Sequence, residues 1–157
     1  MRLEYFQLID RIVDLKLADR KISGEATVPG QSTIFEGHFP GYPLMPGVLL
    51  IEAMAQTSGW LVVALNRFER MPFLAAVKDA KLRTFVKPGD RLSIDAQLVH
   101  DGSGYAVIEA TIKCAGKLIC DASLTLRVLD FPNEDMAKKM RETAAQIGLS
   151  FEAPANG

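Results

Sequence analysis

The chain has 157 residues and a mass of 17.2 kDa, with 48% hydrophobic and 24% charged side chains, which is enough apolar material for one globular domain with a core. A formal net charge of -1 and a pI near 6.1 leave none of the basic excess that binding a phosphate backbone demands, so no nucleic-acid partner is expected. The start, Met1 to Gln7, lacks the charged-then-apolar layout of a signal peptide, and two cysteines make no disulfide framework, so a cytoplasmic protein is expected.

Taken in chain order, residues 3 to 10 predict a short helix packing Leu3, Phe6, Leu8 and Ile9. Two strands follow over 11–18 and 20–29, the second alternating Ile22, Gly24, Ala26 and Val28 with polar neighbours. From Gln31 to Met45 the segment carries Pro40, Pro43, Gly37 and Gly41 and reads as an ordered loop without regular structure. Pro46 suits the first turn of a helix, where its missing N–H is no loss. That helix, 48 to 65, is hydrophobic on every face and predicts burial all round.

After the helix, 73 to 86 reads as extended, and Lys87-Pro88-Gly89-Asp90 is a turn. Period-two runs over 91–99, 105–114 and 117–129 predict three further antiparallel strands, each with one apolar face. The greasy helix is the natural cover for that face. The expected fold class is α+β, a long central apolar helix wrapped by a curved antiparallel β-sheet. Asn133 to Gly148 predicts a terminal helix with Asn133 as N-cap and Glu134 and Asp135 in its first turn. The expected organisation is therefore a domain over 1–132 and a helical extension and tail over 133–157, frayed from Glu152.

One residue breaks the apolar helix. Glu52 loses its water in such a setting and needs a partner, and Gln56 lies one turn along the same face. The run from Val48 to Leu65 approaches the length of a bilayer span, but Glu52, Gln56, Thr57 and Ser58, together with strands able to bury it, point to a core helix and no membrane span. His38 and Glu52 bracket the Pro/Gly-rich loop and make a candidate acid–base pair, set against a hydrogen-bonded surface histidine and a structural carboxylate.

The remaining polar residues carry less. His100, beside Asp101-Gly102, reads as part of a turn. Cys114 and Cys120 fall on the apolar phase of their strands and act as small hydrophobes, and two histidines and two cysteines without ligand spacing predict no metal site. Phe35, Phe39, Tyr42, Phe73 and Phe85 fit either a tunnel lining or core packing. Lys78, Lys81, Arg83, Lys87 and Arg91 read as a solvated strand face, with the alternative that they steer an acidic partner.

His38-Phe39-Pro40-Gly41, then Pro43, Met45-Pro46-Gly47-Val48, then Glu52-Ala53-Met54-Ala55-Gln56 resembles the signature of the FabZ-type (3R)-hydroxyacyl-[acyl-carrier-protein] dehydratases of the hot-dog fold, and the similarity runs to about Leu129. Two departures stand out. The family's Pro-His-Arg-x-Pro-Phe run is replaced by Glu4 to Asp10, and the extension from Asn133 exceeds the usual terminus. Glutamate at position 52, where the related dehydratase–isomerase branch has aspartate, favours simple dehydration.

The resemblance implies removal of water from a 3-hydroxyacyl thioester to give a trans-2-enoyl thioester in fatty acid biosynthesis. It implies no cofactor beyond the phosphopantetheine arm that carries the substrate on acyl carrier protein. His38 then suits the base for the C2 proton and Glu52 the acid for the departing hydroxyl, since desolvation favours the protonated form of a carboxyl. Amides of Gly47 and Val48 at the helix start suit the thioester oxygen, with Gln56 orienting Glu52 or a water. It further implies acyl carrier protein as partner, with the five basic residues as a docking face, and a homodimer that shares each site and can pair into a hexamer, a trimer of dimers. Two other readings stand beside it: a hot-dog thioesterase, which His38 before the helix disfavours, and a non-catalytic acyl-binding domain, which has no use for a buried acid.

Overall fold

A computed structural model describes residues 1–149. Six strands, β1 (Arg11–Lys16), β2 (Lys21–Thr27), β3 (Arg70–Leu82), β4 (Arg91–Asp101), β5 (Tyr105–Cys114) and β6 (Lys117–Asp130), form one antiparallel sheet in the order β1-β2-β4-β5-β6-β3. The long helix α2 (Gly47–Leu65) packs on five of these strands, β2 to β6, and gives the wrapped-helix arrangement expected of the sequence.

The alternation read from the sequence sets the sheet's inner face. Ile94, Ala96 and Leu98 of β4 stand opposite Ile112, Ala110 and Ile108 of β5, which in turn face Cys120, Ala122 and Leu124 of β6. All nine are buried. The row Ala96–Ala110–Ala122 is short between two rows of larger side chains, so the concave face has depth to receive the helix. Met54 and Leu61 of α2 are fully buried there, and each such side chain contributes about 1.5–3 kcal/mol of transfer free energy.

Several expectations change. Residues 3 to 10 form only a 3-10 turn, Leu3–Tyr5, because Phe6 turns to φ 53° and the chain folds back so that Arg2 bridges Gln7; Leu3, Leu8 and Ile9 are buried, while Phe6 is exposed. The segment from Gln31 to Met45 contains a short helix, α1 (Thr33–Gly37), whose N-cap Ser32 accepts from the Ile34 amide at 3.2 Å. Its residues precede Pro40, so nothing breaks it until Gly37. Pro46 is the N-cap rather than a first-turn residue.

The helix is also not buried on every face. Val48 is 71% exposed, and Ile51, Glu52, Gln56 and Trp60 are half-buried along one stripe. The sheet covers the other faces, and the cavity over this stripe is bordered by Ile9, just ahead of β1, and by Pro72 and Leu74 of β3. By length and hydropathy α2 matches a bilayer span, yet most of it is core. Strand β3 begins at Arg70 and ends at Leu82; the Arg83 amide still donates to the Ile119 carbonyl of β6 at 2.8 Å before the chain leaves the sheet, and the Val86 carbonyl accepts from the Met45 amide at 2.8 Å. Helix α3 (Glu134–Gln146) starts as expected, with Asn133 Oδ1 accepting from the Met136 amide at 2.8 Å. The frayed tail expected from Glu152 lies outside the described residues.

Candidate active site

Glu52 and Gln56 lie one turn apart on the open stripe of α2, and both line a cavity of about 390 Å³. Gln56 is held on three sides. Its Nε2 donates to the Phe6 carbonyl at 2.7 Å and to Glu52 Oε1 at 3.1 Å, and its Oε1 accepts from the Leu8 amide at 3.2 Å. Both amide hydrogens and the amide oxygen are thus committed, which fixes the amide orientation. The N-terminal segment that departs from the family's usual run is therefore what anchors Gln56.

With Oε1 of Glu52 accepting from Gln56, a proton on this carboxyl belongs on Oε2, the oxygen left for a ligand. Apolar neighbours Ala55, Trp60 and Val63 continue the same wall along the helix.

His38 sits at the C-terminus of α1, half-buried. Its Nδ1 lies 2.9 Å from the Leu44 carbonyl, and a carbonyl only accepts, so Nδ1 carries the hydrogen and the neutral ring presents its lone pair at Nε2. The ring stacks on Phe39 at 4.2 Å. The loop that holds it is closed by Phe39 and Tyr42 exchanging backbone bonds at 3.0 and 2.9 Å around Gly41, whose φ of 72° suits glycine. Further back, Glu4 accepts from the Ser32 hydroxyl at 2.6 Å and the Thr33 amide at 3.0 Å, ties α1 to the N-terminal segment, and has its pKa lowered, chiefly by the Ser32 hydroxyl.

Gly47 and Val48 occupy the first turn of α2, ahead of the first helical carbonyl available to their amides; the Leu49 and Leu50 amides take the Pro46 carbonyl. A Cβ at Gly47 would lie 2.3 Å from Leu82 Cδ1, so the bare glycine lets the end of β3 approach the helix start. Val48 is one turn above Glu52 on the same face.

The structure shows no direct contact between His38 and Glu52 among the described residues: no hydrogen bond or ion pair joins them, and His38 does not line the Glu52 cavity. The five basic residues also disperse. Lys78 and Lys81 are exposed on edge strand β3, and Arg83 is committed to Asp121 through Nε at 3.1 Å and Nη2 at 2.6 Å. Lys87 stands in the turn, and Arg91 is on β4, with β5 and β6 between it and β3.

None of the five aromatic candidates lines the cavity. Phe35 belongs to the core and Phe39, Tyr42, Phe73 and Phe85 are exposed; among the described residues the aromatic walls are Phe6 and Trp60. Met140, Thr143, Gln146 and Ile147, from α3 and the residue after it, were also missed as lining, since only the three-dimensional fold brings that segment to the cavity it shares with α2. A hint lay in the half-polar stripe Glu52–Gln56–Trp60 itself, which an all-round apolar reading passes over. Cys120 is fully buried and its thiol is pushed up to about 11, mainly by burial. His100 makes its own local pair with the Tyr105 hydroxyl at 3.2 Å.

Comparison with known proteins shows the family to which the chain belongs. The family model described as a FabA-like domain matches residues 2–123. A bifunctional enzyme LpxC/FabZ of Chlorobaculum tepidum is 41% identical over 130 residues, 82% of this chain but 28% of that longer protein. A 3-hydroxyacyl-[acyl-carrier-protein] dehydratase FabZ of Chloroflexus aggregans is 37% identical over 126 residues, covering 80% of this chain and 87% of its own. Among solved structures, a hypothetical thioesterase with coenzyme A from Streptococcus pneumoniae superposes with a TM-score of 0.62 at 19% identity, covering 78% of this chain and 88% of that one, a likeness of fold.

Proposed function

The chain belongs to the FabA-like family, and from that membership we propose that it is a hydro-lyase converting (3R)-3-hydroxyacyl-[acyl-carrier-protein] to the trans-2-enoyl thioester in fatty acid biosynthesis. The observation that carries the reading is Glu52, oriented by Gln56 in an apolar cavity within the stretch the family model matches.

In the reaction His38 Nε2 takes the C2 proton while the thioester carbonyl, held at the amides of Gly47 and Val48, accommodates the developing negative charge. The C2–H electron pair forms the C2=C3 bond as the C3–O bond breaks, and the leaving hydroxyl takes its proton from Glu52 Oε2 to depart as water. His38 ends protonated and Glu52 ionised, and one proton passed back from His38 to Glu52 resets the site.

A homodimer brings the pair together, with His38 of one subunit facing Glu52 of the other. Two observations support it: among the described residues no hydrogen bond or ion pair joins His38 to Glu52 within one chain, and among them β3 has β6 as its one strand neighbour and carries exposed Phe73, Val77 and Leu82. An unpaired apolar edge of this kind is satisfied by a twin. Further pairing gives a hexamer as a trimer of dimers. The acyl group arrives on the phosphopantetheine arm of acyl carrier protein, an acidic partner suited to the exposed Lys78, Lys81 and Lys87. Free Cys114 and Cys120 fit a reducing, cytoplasmic setting.

The test is incubation with 3-hydroxyacyl carrier protein while following enoyl absorbance against free thiol. Enoyl formation without thiol release is the expected result. Thiol release makes the protein a thioesterase, and neither signal makes it a binding domain.

A further inference from the structure

Helix α3 lies wholly beyond the residues matched by the family model, yet it shares the cavity of Glu52. Its C-terminal end is fastened to one edge of the sheet. The Ile12 amide of β1 donates to the Ile147 carbonyl at 2.7 Å, Gly148 turns at φ 81°, and the Leu149 amide returns to the Ala144 carbonyl at 2.9 Å. Ala144 and Leu149 are buried in the core. From that anchor Met140, Thr143 and Ile147 face the cavity, whose lining also includes Pro72 and Leu74 of β3, the opposite edge strand. The segment tied to β1 thus forms one side of a cavity whose other sides are the open stripe of α2 and strand β3.

The α2 side of this groove runs from Glu52 through Gln56 and Trp60 to Val63, eleven helical steps and about 16 Å along the helix axis. One end carries the acid, and the rest is largely apolar, the chemistry of a site for a hydrocarbon tail. We infer that α3 is the specificity wall of this groove, so that Met140 and Thr143 set which acyl chain lengths reach the reacting position. The inference rests on the dehydratase reading for the identity of the substrate, but not for the existence of an alkyl-binding groove. The length of the tail is read by α3 and its head by Glu52, so the two ends of the groove have separable effects on turnover.

The experiment compares full-length wild type with Met140→Trp, Met140→Ala and Thr143→Trp, using 3-hydroxybutyryl, 3-hydroxylauroyl and 3-hydroxypalmitoyl carrier proteins. A bulky side chain from α3 is expected to lower kcat/KM for the two long substrates by about tenfold or more while the butyryl value stays within about twofold, and Met140→Ala to shift preference towards longer chains. Thr143→Trp, at an exposed position of the helix, keeps the test open if Met140→Trp does not fold. A folded tryptophan variant that changes all three substrates by one common factor, or none, overturns the inference. A parallel titration with dansylundecanoic acid separates the two readings. If wild type dehydrates no substrate but binds the probe, and the tryptophan variants weaken that binding about tenfold or more, the dehydratase reading fails and the groove stands. Unchanged probe binding in both tryptophan variants sinks the role of α3.

Discussion

Gln56 Nε2 donates to Glu52 Oε1 at 3.1 Å, and the same nitrogen is locked to the Phe6 carbonyl at 2.7 Å. The acid is therefore oriented through an amide that is itself oriented by the N-terminal segment. Replacing Gln56 with Leu removes both donors and leaves the Leu8 amide and Phe6 carbonyl without their partner. The expected outcome is a loss of about 1–3 kcal/mol in stability and a fall in kcat rather than a rise in KM, read by denaturant unfolding and steady-state kinetics. Gln56 acts through Glu52, so a variant whose loss appears wholly in KM removes it from that positioning role.

His38→Ala and Glu52→Gln each remove one proton-transfer group and should lower kcat by about 10²–10⁴-fold with the fold intact by circular dichroism. Near-native turnover in either variant excludes that residue from the mechanism.

The shared site has a quantitative consequence. Inactive His38→Ala and Glu52→Gln chains, dissociated and re-paired at random, give about half mixed dimers, each with one intact and one doubly altered site. Activity should return to about a quarter of wild type. Mixing shown by mass spectrometry with no activity recovered places both residues in one chain.

Cys120 makes a prediction about pH. Burial, with the Asp121 charge added, holds its thiol up to about 11 against an ordinary 9.0, and Cys114 is raised as well, chiefly by burial. The unfolded thiol loses its proton first, so folding is unaffected below about pH 9 and loses stability as pH climbs from there towards 11. In the native protein at pH 8, Ellman's reagent should label Cys120 only at the rate of unfolding, and in guanidinium at once. Rapid native labelling of Cys120 contradicts its burial.

Elements with a strong local signal were legible from residue order. The period-two runs of β4, β5 and β6 put Ile94, Ile108 and Leu124 inside without reference to anything distant, and Asn133 followed by Glu134 and Asp135 marks the start of α3 by local capping alone. Motif spacing, a property of the chain, also singled out His38, Gly47, Glu52 and Gln56 as candidates. Only the tertiary structure decided that α2 has an open stripe, since which face a sheet leaves uncovered depends on where β1 and β3 end in space. The same holds for the anchoring of Gln56 by Phe6 and Leu8, some fifty residues away, and for α3 as a wall of the cavity. Hydrophobic periodicity reports that a face is buried and says nothing of what buries it, so contacts between segments distant in sequence, which complete this site, had to be seen.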